Sequence, residues 1–470
     1  MKKELIFDET EYTVETVDID GEKLVYRAFE NIPYCKNPMD EEAQRLSIFV
    51  PEAFYKGETL NGWDLNHAPV FMPNTIGGYM PGPQERPGKN REGRANTVFS
   101  ALLHGYVVVS PGTRGRGMKN SGGEFIGTAP AALCDLKAAV RYLRANAERI
   151  PGDAGKIISN GTSAGGAMSA LLGTTGDHPD YEPYLKEMGA AQASDAVFAS
   201  SCYCPITNLD HADAAYEWEF HGLNDFHGKK MVPPEKEGGK PKWIPVKGVM
   251  TKEQQKISGQ LKAAFPEYVN ALQLKDGDGN PLMLDEQGEG SFLEYIKSYV
   301  AASAQKELEK GTDLSDLDWL EIKDGRAAAI DFPKYVRFRT RMKEAPAFDN
   351  VALGTPENEL FGTKQIQYRH FTEFGFQHST ASGQLADDQQ IKMMNPMNYT
   401  ADEKAKKAEH FRIRHGSVDR DTSLAVSAML TAKLTEAGID TELFYPWGMP
   451  HAGDYDLEEL FAWIDRICRL

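Results

Sequence analysis

The pentapeptide Gly161-Thr162-Ser163-Ala164-Gly165 has the Gly-x-Ser-x-Gly spacing of a serine nucleophile at a sharp strand-to-helix turn. A short apolar run at 157–158 precedes it, and a run of helix-favouring residues at 167–172 follows it. The two glycines keep side chains out of a crowded corner, and the N–H of Ala164, at the start of the helix, can stabilise an oxyanion. The sequence therefore predicts that Ser163 is a nucleophile.

A serine hydroxyl attacks an ester only when a base takes its proton, and an acidic side chain must hold that base in the right tautomer. Where the serine lies at such a turn, the acid and then the histidine follow it along the chain, each at the end of a strand. Asp419 and Asp421 compete for the acid role, and we choose Asp419 because it follows Gly416 just past the strand. Of the eleven histidines, His451 alone lies between the last strand and the final helix. The predicted triad is Ser163, Asp419 and His451.

A second group that could stabilise an oxyanion comes earlier in the chain. The run Asn74-Thr75-Ile76-Gly77-Gly78 directly follows a predicted strand. In hydrolases with a serine turn, a glycine-rich loop at this point supplies the second oxyanion N–H. Without the serine turn, the same run would be interpreted as a simple glycine turn.

The elements that must position these residues alternate between strands and helices, which is typical of a mostly parallel sheet covered on both faces. We therefore predict an α/β fold of the α/β-hydrolase type. The predicted strands are 12–19 and 24–26 (a hairpin), 46–51, 68–73, 105–110, the run before Gly161, 196–205, 410–415 and 441–445. The predicted helices are 131–147, the segment after Gly165, 423–437 and 457–467.

The alternation stops between the strand that ends near 204 and the one that starts near 410. Residues 206–395 are richer in charged residues, glycine and proline, with a predicted loop at 228–248 and predicted helices at 251–272 and 292–310. We predict a discontinuous catalytic domain, residues 1–205 and 396–470. The segment 206–395 would be an inserted lid or substrate-binding domain.

Composition excludes some classes of partner. The chain has 470 residues, 41% hydrophobic and 26% charged, with a formal net charge of −17. This acidic balance argues against nucleic acid or an anionic membrane as main partner. No segment has the pattern of a signal peptide or the length of a membrane span. The five cysteines are too sparse for a disulfide framework and give no metal motif, so we predict a cytoplasmic protein without metal or cofactor.

At these residues the sequence resembles bacterial tannases (tannin acylhydrolases) of the non-secreted type, within the α/β-hydrolase superfamily. The resemblance extends nearly end to end and implies the same triad, with an oxyanion hole formed by the N–H groups of Gly77 and Ala164. It is densest at 72–79, 160–166, 203–206, 215–218, 341–343, 346–349, 356–358, 413–416 and 451–456.

The resemblance also implies a set of substrate-binding residues. Lys343, Glu357 and Asp421 would bind the three adjacent hydroxyls of a galloyl ring, and Ile206 and Pro356 would pack against the ring. Phenolic O–H groups donate to carboxylates, and a lysine can donate to a phenol oxygen. Without the resemblance, the lysine and the glutamate would be interpreted as solvated surface charges.

The expected function is a cofactor-independent serine esterase that cleaves galloyl esters and hydrolysable tannins and releases gallic acid, with depside bonds left open as further substrates. The main alternative is an esterase for ferulate or another phenolic acid. Ferulate lacks the three adjacent hydroxyls, and such a mismatch can cost about 10⁴-fold in specificity. A hydrolase-fold binding protein without catalysis is the alternative from another class. Oligomeric state stays open.

Overall fold

The computed structural model describes residues 5–232 and 242–469, and the strands and helices below lie in these ranges. The strands are β1 (Thr13–Ile19), β2 (Glu22–Pro33), β3 (Arg45–Pro51), β4 (Pro69–Pro73), β5 (Val107–Pro111), β6 (Asp153–Thr162), β7 (Ala199–Tyr203), β8 (Asp225–Val232), β9 (Lys242–Val249), β10 (Leu320–Lys323), β11 (Arg326–Ile330), β12 (His410–Arg414) and β13 (Asp440–Phe444).

Helices lie in the connections between these strands. The helices are α1 (Glu52–Tyr55), α2 (Thr97–Leu103), α3 (Ala131–Ala145), α4 (Ala164–Thr174), α5 (Glu182–Glu187), α6 (Leu209–Phe220), α7 (Lys252–Ala271), α8 (Ser291–Glu309), α9 (Phe332–Arg339), α10 (Pro356–Leu360), α11 (Glu373–Gln377), α12 (Asp388–Lys392), α13 (Leu424–Glu436) and α14 (Leu457–Cys468).

One nine-stranded sheet has the order β1-β2-β3-β5-β4-β6-β7-β12-β13. The predicted N-terminal hairpin is confirmed: β1 and β2 are antiparallel, with Thr13 opposite Ala28. Strands β2, β3 and β5 continue the antiparallel edge, and every neighbouring pair from β5 to β13 is parallel. All five residues of β5 are buried, as expected for a strand covered on both faces.

The connecting helices cover both faces of this sheet. Helix α2 leads from β4 to β5 in one direction along the sheet, whereas α3, α4 and α13 lead to strands in the opposite direction. Because such crossovers are right-handed, helices that connect in opposite directions lie on opposite faces. The packing agrees, since α3 contacts α4 and α14 contacts α2. This is the predicted α/β-hydrolase architecture.

The segment 206–395 supplies no described strand to the large sheet. It contains α6 to α12 and two small antiparallel sheets, β8-β9 and β10-β11. The prediction of a loop over 228–248 is wrong where β8 and β9 pair, with Asp225 opposite Val249. Backbone hydrogen bonds across the pair offset the low strand preference of lysine, proline and glycine. Residues 233–241 of that predicted loop lie outside the described residues.

Two further sequence expectations concern cysteines and membranes. All five cysteines are buried and free of disulfides: Cys35, Cys134, Cys202, Cys204 and Cys468. In the described ranges, no helix combines the length and the apolar character that crossing a membrane requires.

Candidate active site

Ser163 lies between the end of β6 and the start of α4, at a backbone position that few residues adopt. Its φ is 62° and its ψ −122°, a strained left-handed conformation for a residue with a side chain. A Cβ at Gly161 would clash with the carbonyl oxygen of Gly165, and one at Gly165 would lie 2.5 Å from Asn74 Oδ1. The turn therefore requires both glycines of the pentapeptide, as the sequence predicts.

The structure brings the three predicted triad residues together. His451 Nε2 lies 2.8 Å from Ser163 Oγ, and His451 Nδ1 lies 2.7 Å from Asp419 Oδ2. This geometry gives the ring one nitrogen that can accept the serine proton and one that donates to a carboxylate. The arrangement can therefore perform nucleophilic catalysis on an acyl group.

Asp419 is fully buried, and its carboxylate is surrounded by donors. Its Oδ1 accepts from the N–H of Asp421 at 2.8 Å, and His415 Nε2 lies 3.3 Å from its Oδ2. Burial alone would raise the pKa of Asp419, but the rings of His451 and His415 outweigh it and hold that pKa well below its usual range. Asp419 is therefore ionised and can orient the base.

The pKa of His451 is raised well above the usual histidine value. Burial disfavours the imidazolium, but the carboxylates of Asp419 and, 4.0 Å from Nε2, Asp421 favour it more strongly. A base must be neutral to take a proton. Activity should therefore fall as the pH drops through this raised pKa.

Replacing Asp421 by asparagine removes one of the charges that raise the pKa of His451. We expect the acid limb of kcat/KM in Asp421→Asn to move to lower pH than in the unmodified chain. The measurement is a pH profile with 4-nitrophenyl acetate, whose acyl group has no ring hydroxyls, so that galloyl binding does not enter. The control is Asp278→Asn, a change at an exposed turn. An acid limb that stays in place in Asp421→Asn would contradict the electrostatic account.

Cys204 is a neighbour of the base that the sequence did not reveal. The pattern predicts Cys202 and Cys204 as core thiols on one face of a strand. Both are fully buried, but Cys204 follows the end of β7, and its Sγ lies 3.9 Å from His451 Nε2 and 3.4 Å from the carbonyl oxygen of Ala452. Burial raises the pKa of Cys204, so the group is a neutral thiol and no rival nucleophile.

Cys204, Asp419 and His451 are also the one cluster of potential metal ligands within the described ranges. Both ring nitrogens of His451 are within hydrogen-bond distance of triad partners. A metal ion could bind this histidine only by displacing Ser163 or Asp419 from its ring nitrogens. The cluster therefore fits proton transfer better than metal binding.

The two backbone segments of the predicted oxyanion hole are held together by Asn74. Ala164 is the first residue of α4, where backbone N–H groups have no acceptor in the preceding turn. Asn74 Nδ2 donates to the carbonyl oxygen of Gly165 at 3.1 Å, and Asn74 Oδ1 accepts from the N–H of Ile76 at 3.3 Å. This links the loop containing Gly77, which is exposed, to the first turn of the helix.

The predicted hydroxyl-binding residues also converge beside the triad. Lys343 Nζ lies 3.0 Å from Asp421 Oδ1 and 3.9 Å from the centre of the Phe348 ring. Burial lowers the pKa of Lys343, but Asp421 and Glu357 outweigh it, so the net shift is upward and the lysine is charged. Burial raises the pKa of Glu357, which is 6% exposed and lies in the first turn of α10.

Ile206 and Pro356 occupy different environments. Ile206 is buried, its N–H donates to the carbonyl oxygen of Ser163 at 3.3 Å, and its own carbonyl accepts from Tyr79 Oη at 2.8 Å. It therefore packs directly against the backbone of Ser163. Pro356 is exposed and adjoins Glu357 at the start of α10. Both are placed beside residues of the candidate site.

This fold and this site recur in known proteins. The chain is 43% identical to tannase from Lactobacillus plantarum, with a TM-score of 0.95, and 99% of each chain is covered. The chain belongs to the tannase family. It is 44% identical to Fusobacterium nucleatum tannase, with a TM-score of 0.94 and 99% of each chain covered. A tannin acyl hydrolase in complex with ethyl gallate is 43% identical, with a TM-score of 0.92 and the same coverage of each chain.

Two more limited matches agree with the hydrolase fold of this tannase-family chain. The BD-FAE family matches residues 77–224, which contain Gly77 and the serine turn. The esterase LipC of Mycobacterium tuberculosis is 41% identical over 68 residues. That match spans 14% of this chain and 17% of the esterase, so it concerns a short segment only.

Proposed function

We propose that this chain is a serine esterase that hydrolyses galloyl esters and hydrolysable tannins and releases gallic acid. The observation that carries the proposal is the pair of hydrogen bonds that join Ser163, His451 and Asp419, with the Lys343–Asp421 pair beside the same imidazole. The complex of a related tannin acyl hydrolase with ethyl gallate supports this choice of substrate.

In the proposed reaction, His451 Nε2 takes the proton of Ser163 Oγ as that oxygen attacks the ester carbonyl carbon. The carbonyl oxygen becomes an oxyanion and accepts from the N–H groups of Gly77 and Ala164, where one such donor contributes about 3–4 kcal/mol. The imidazolium then gives its proton to the departing alkoxy oxygen, which leaves a galloyl ester on the serine. Water loses a proton to His451 and hydrolyses that ester, and the proton returns to the serine.

The galloyl ring would be recognised by Lys343, Glu357 and Asp421, with Ile206 and Pro356 against its faces. The two carboxyl groups can accept from ring hydroxyls, and the lysine can donate to a phenol oxygen. Lys343 and Asp421 retain 21% and 17% exposure of their side chains, so water can solvate them when a ligand lacks hydroxyls. The cost of such a mismatch should therefore be smaller than in a fully enclosed site.

We expect kcat/KM for methyl gallate to exceed that for methyl benzoate by about 10²–10³-fold, below the 10⁴ or more of enclosed hydroxyl-binding sites. Methyl ferulate should also be a poor substrate, because it lacks three adjacent hydroxyls. Initial rates on the three esters test this. Equal rates would agree with a serine esterase but would contradict the proposed hydroxyl-binding role of Lys343, Glu357 and Asp421. Preference for the ferulate would establish the alternative phenolic-acid esterase, and no hydrolysis of any ester would favour a binding protein.

We propose that 1–205 and 396–470 form the catalytic domain and that 206–395 is an inserted substrate-binding domain that acts as a lid. The location of Lys343 and Glu357 within the insertion supports its role in binding.

We also propose a cytoplasmic location. The five free, buried cysteines support it, because free thiols are typical of proteins in reducing compartments. Alkylation of thiols in cells lysed directly into denaturant should find all five reduced, and a disulfide would contradict it.

A further inference from the structure

A cavity of about 200 Å³ lies between the insertion and the two loops that carry the predicted acid and base. Trp319, before β10, and Phe338, in α9, line it from the insertion, while Val418 and Trp447 line it from the sheet domain. Val418 directly precedes Asp419 in the chain. None of the predicted triad or hydroxyl-binding residues lines this cavity, so it is separate from the candidate active site.

The walls of the cavity are aromatic. The Trp319 ring centre lies 4.8 Å from that of Tyr335, 5.6 Å from that of Phe338 and 5.7 Å from that of Trp447. Phe338 is 50% exposed although its ring faces this cluster. Flat, rigid walls of this kind favour a planar aromatic ligand.

One wall residue of the cavity, Trp319, also carries a buried polar group without a partner. Trp319 is 2% exposed, and its Nε1–H has no acceptor among the described residues. An unpaired buried donor is unfavourable, and such groups are rare in folded proteins. A bound ring that brings an oxygen atom to the indole edge would satisfy it.

Two carboxylates complete the lining. Asp313 and Asp316 belong to the cavity wall and are exposed, so they lie at its rim. They can accept hydrogen bonds from phenolic O–H groups, and they repel an anion. The occupant they favour is neutral and carries hydroxyls.

We propose that this cavity is a second binding site for a neutral phenolic ring, such as the ring of a galloyl ester. The ring would stack on the aromatic walls, accept from Trp319 Nε1 and donate to Asp313 or Asp316. The choice of a galloyl ester as the occupant rests on the proposed function. A tannin carries several such rings, so one tannin molecule offers rings to both the active site and this cavity. Two molecules of a small ester can occupy the two sites separately.

The test is isothermal titration of the Ser163→Ala variant, which prevents turnover, with methyl gallate as the probe. We expect two sites. Adding Asp421→Asn should weaken the active-site event, and adding Trp319→Phe, which keeps a ring but removes the N–H, should weaken the other by about tenfold. Phe338→Ala should also weaken it, whereas the control Phe376→Ala, at a ring that is 41% exposed outside the cavity, should not.

The possible outcomes distinguish failure of the second site from failure of the proposed function. A single site that Asp421→Asn removes would refute it and leave the proposed function intact. Methyl benzoate or gallate anion filling the second site as tightly as methyl gallate would refute a neutral phenolic occupant. If the unmodified chain hydrolyses no gallate ester but the cavity variants still weaken binding, the proposed function fails and the second site stands. Thermal unfolding of each variant checks its fold. If Trp319→Phe does not fold, binding of methyl gallate to Phe338→Ala tests the second site instead.

Discussion

Ser163→Ala is expected to lower kcat for methyl gallate by about 10⁵–10⁶-fold, because loss of the nucleophile removes the whole acyl-enzyme route. The folded state should lose little stability. The hydroxyl lies above a turn that the backbone hydrogen bonds of β6 and β7 already hold, including the bond from the N–H of Ser163 to the carbonyl oxygen of Tyr203 at 2.9 Å. Alanine must adopt the same positive φ, which is no harder for it than for serine.

The measurement is single-turnover and steady-state kinetics, with thermal unfolding as the check on the fold. Ser201→Ala is the matched control, since it makes the same chemical change in the neighbouring strand β7. The hydroxyl of Ser201 is buried and has no hydrogen-bond partner among the described residues, so its removal should leave the rate unchanged and should not lower stability. A Ser163→Ala variant with more than about one hundredth of the rate would rule out the covalent mechanism.

The parts of the fold that the sequence predicts best are those with a local pattern. The strand ending at Thr162 and the helix starting at Ala164 have apolar and helix-favouring runs on either side of two glycines, and the structure has both elements there. The hairpin of β1 and β2 has strand-favouring runs on both sides of Asp20-Gly21. In both cases the residues within a few positions of each other decide the conformation.

Local patterns do not identify residues whose role depends on contacts with distant parts of the chain. Lys343 and Glu357 lie in a charge-rich insertion, and nothing local separates them from solvated surface charges; only the resemblance indicates them. Asn74 is visible as a polar residue before a glycine run, but its bond to Gly165 joins segments far apart in the chain. Cys204 approaches His451 only because the parallel strands β7 and β13 end at the same edge of the sheet, and the two residues follow those ends.

The acid loop shows a further contribution of the insertion. Asp419 follows β12, yet its backbone carbonyl accepts from the Arg339 guanidinium of α9, and the carbonyl of Ser417 accepts from Tyr335 of the same helix. Arg339 also pairs with Glu219 of α6, and both side chains are fully buried. Two helices of the insertion therefore hold the loop that carries Asp419, the predicted acid.

The buried pair gives the second large expected effect, this time on stability. We expect Arg339→Met to lower the free energy of unfolding by about 3–5 kcal/mol, because it leaves the carboxylate of Glu219 buried without its cation. Glu219 would keep only its neutral donors, the Ser423 hydroxyl at 2.6 Å and the N–H of Leu424 at 2.9 Å. The activity of the folded fraction should also fall, since the carbonyl of Asp419 loses a donor.

Urea unfolding of Arg339→Met, Glu219→Gln and the double variant separates charge from packing. The double variant carries no buried charge at this position, so it should regain a large part of the lost stability. If instead the two losses simply add, the guanidinium contributes through packing against Phe220 and Tyr335, whose ring centres lie 5.1 and 5.2 Å from it, and the charge argument is wrong. A double variant that is stable but slow would assign Arg339 a positioning role for Asp419, separate from its role in folding.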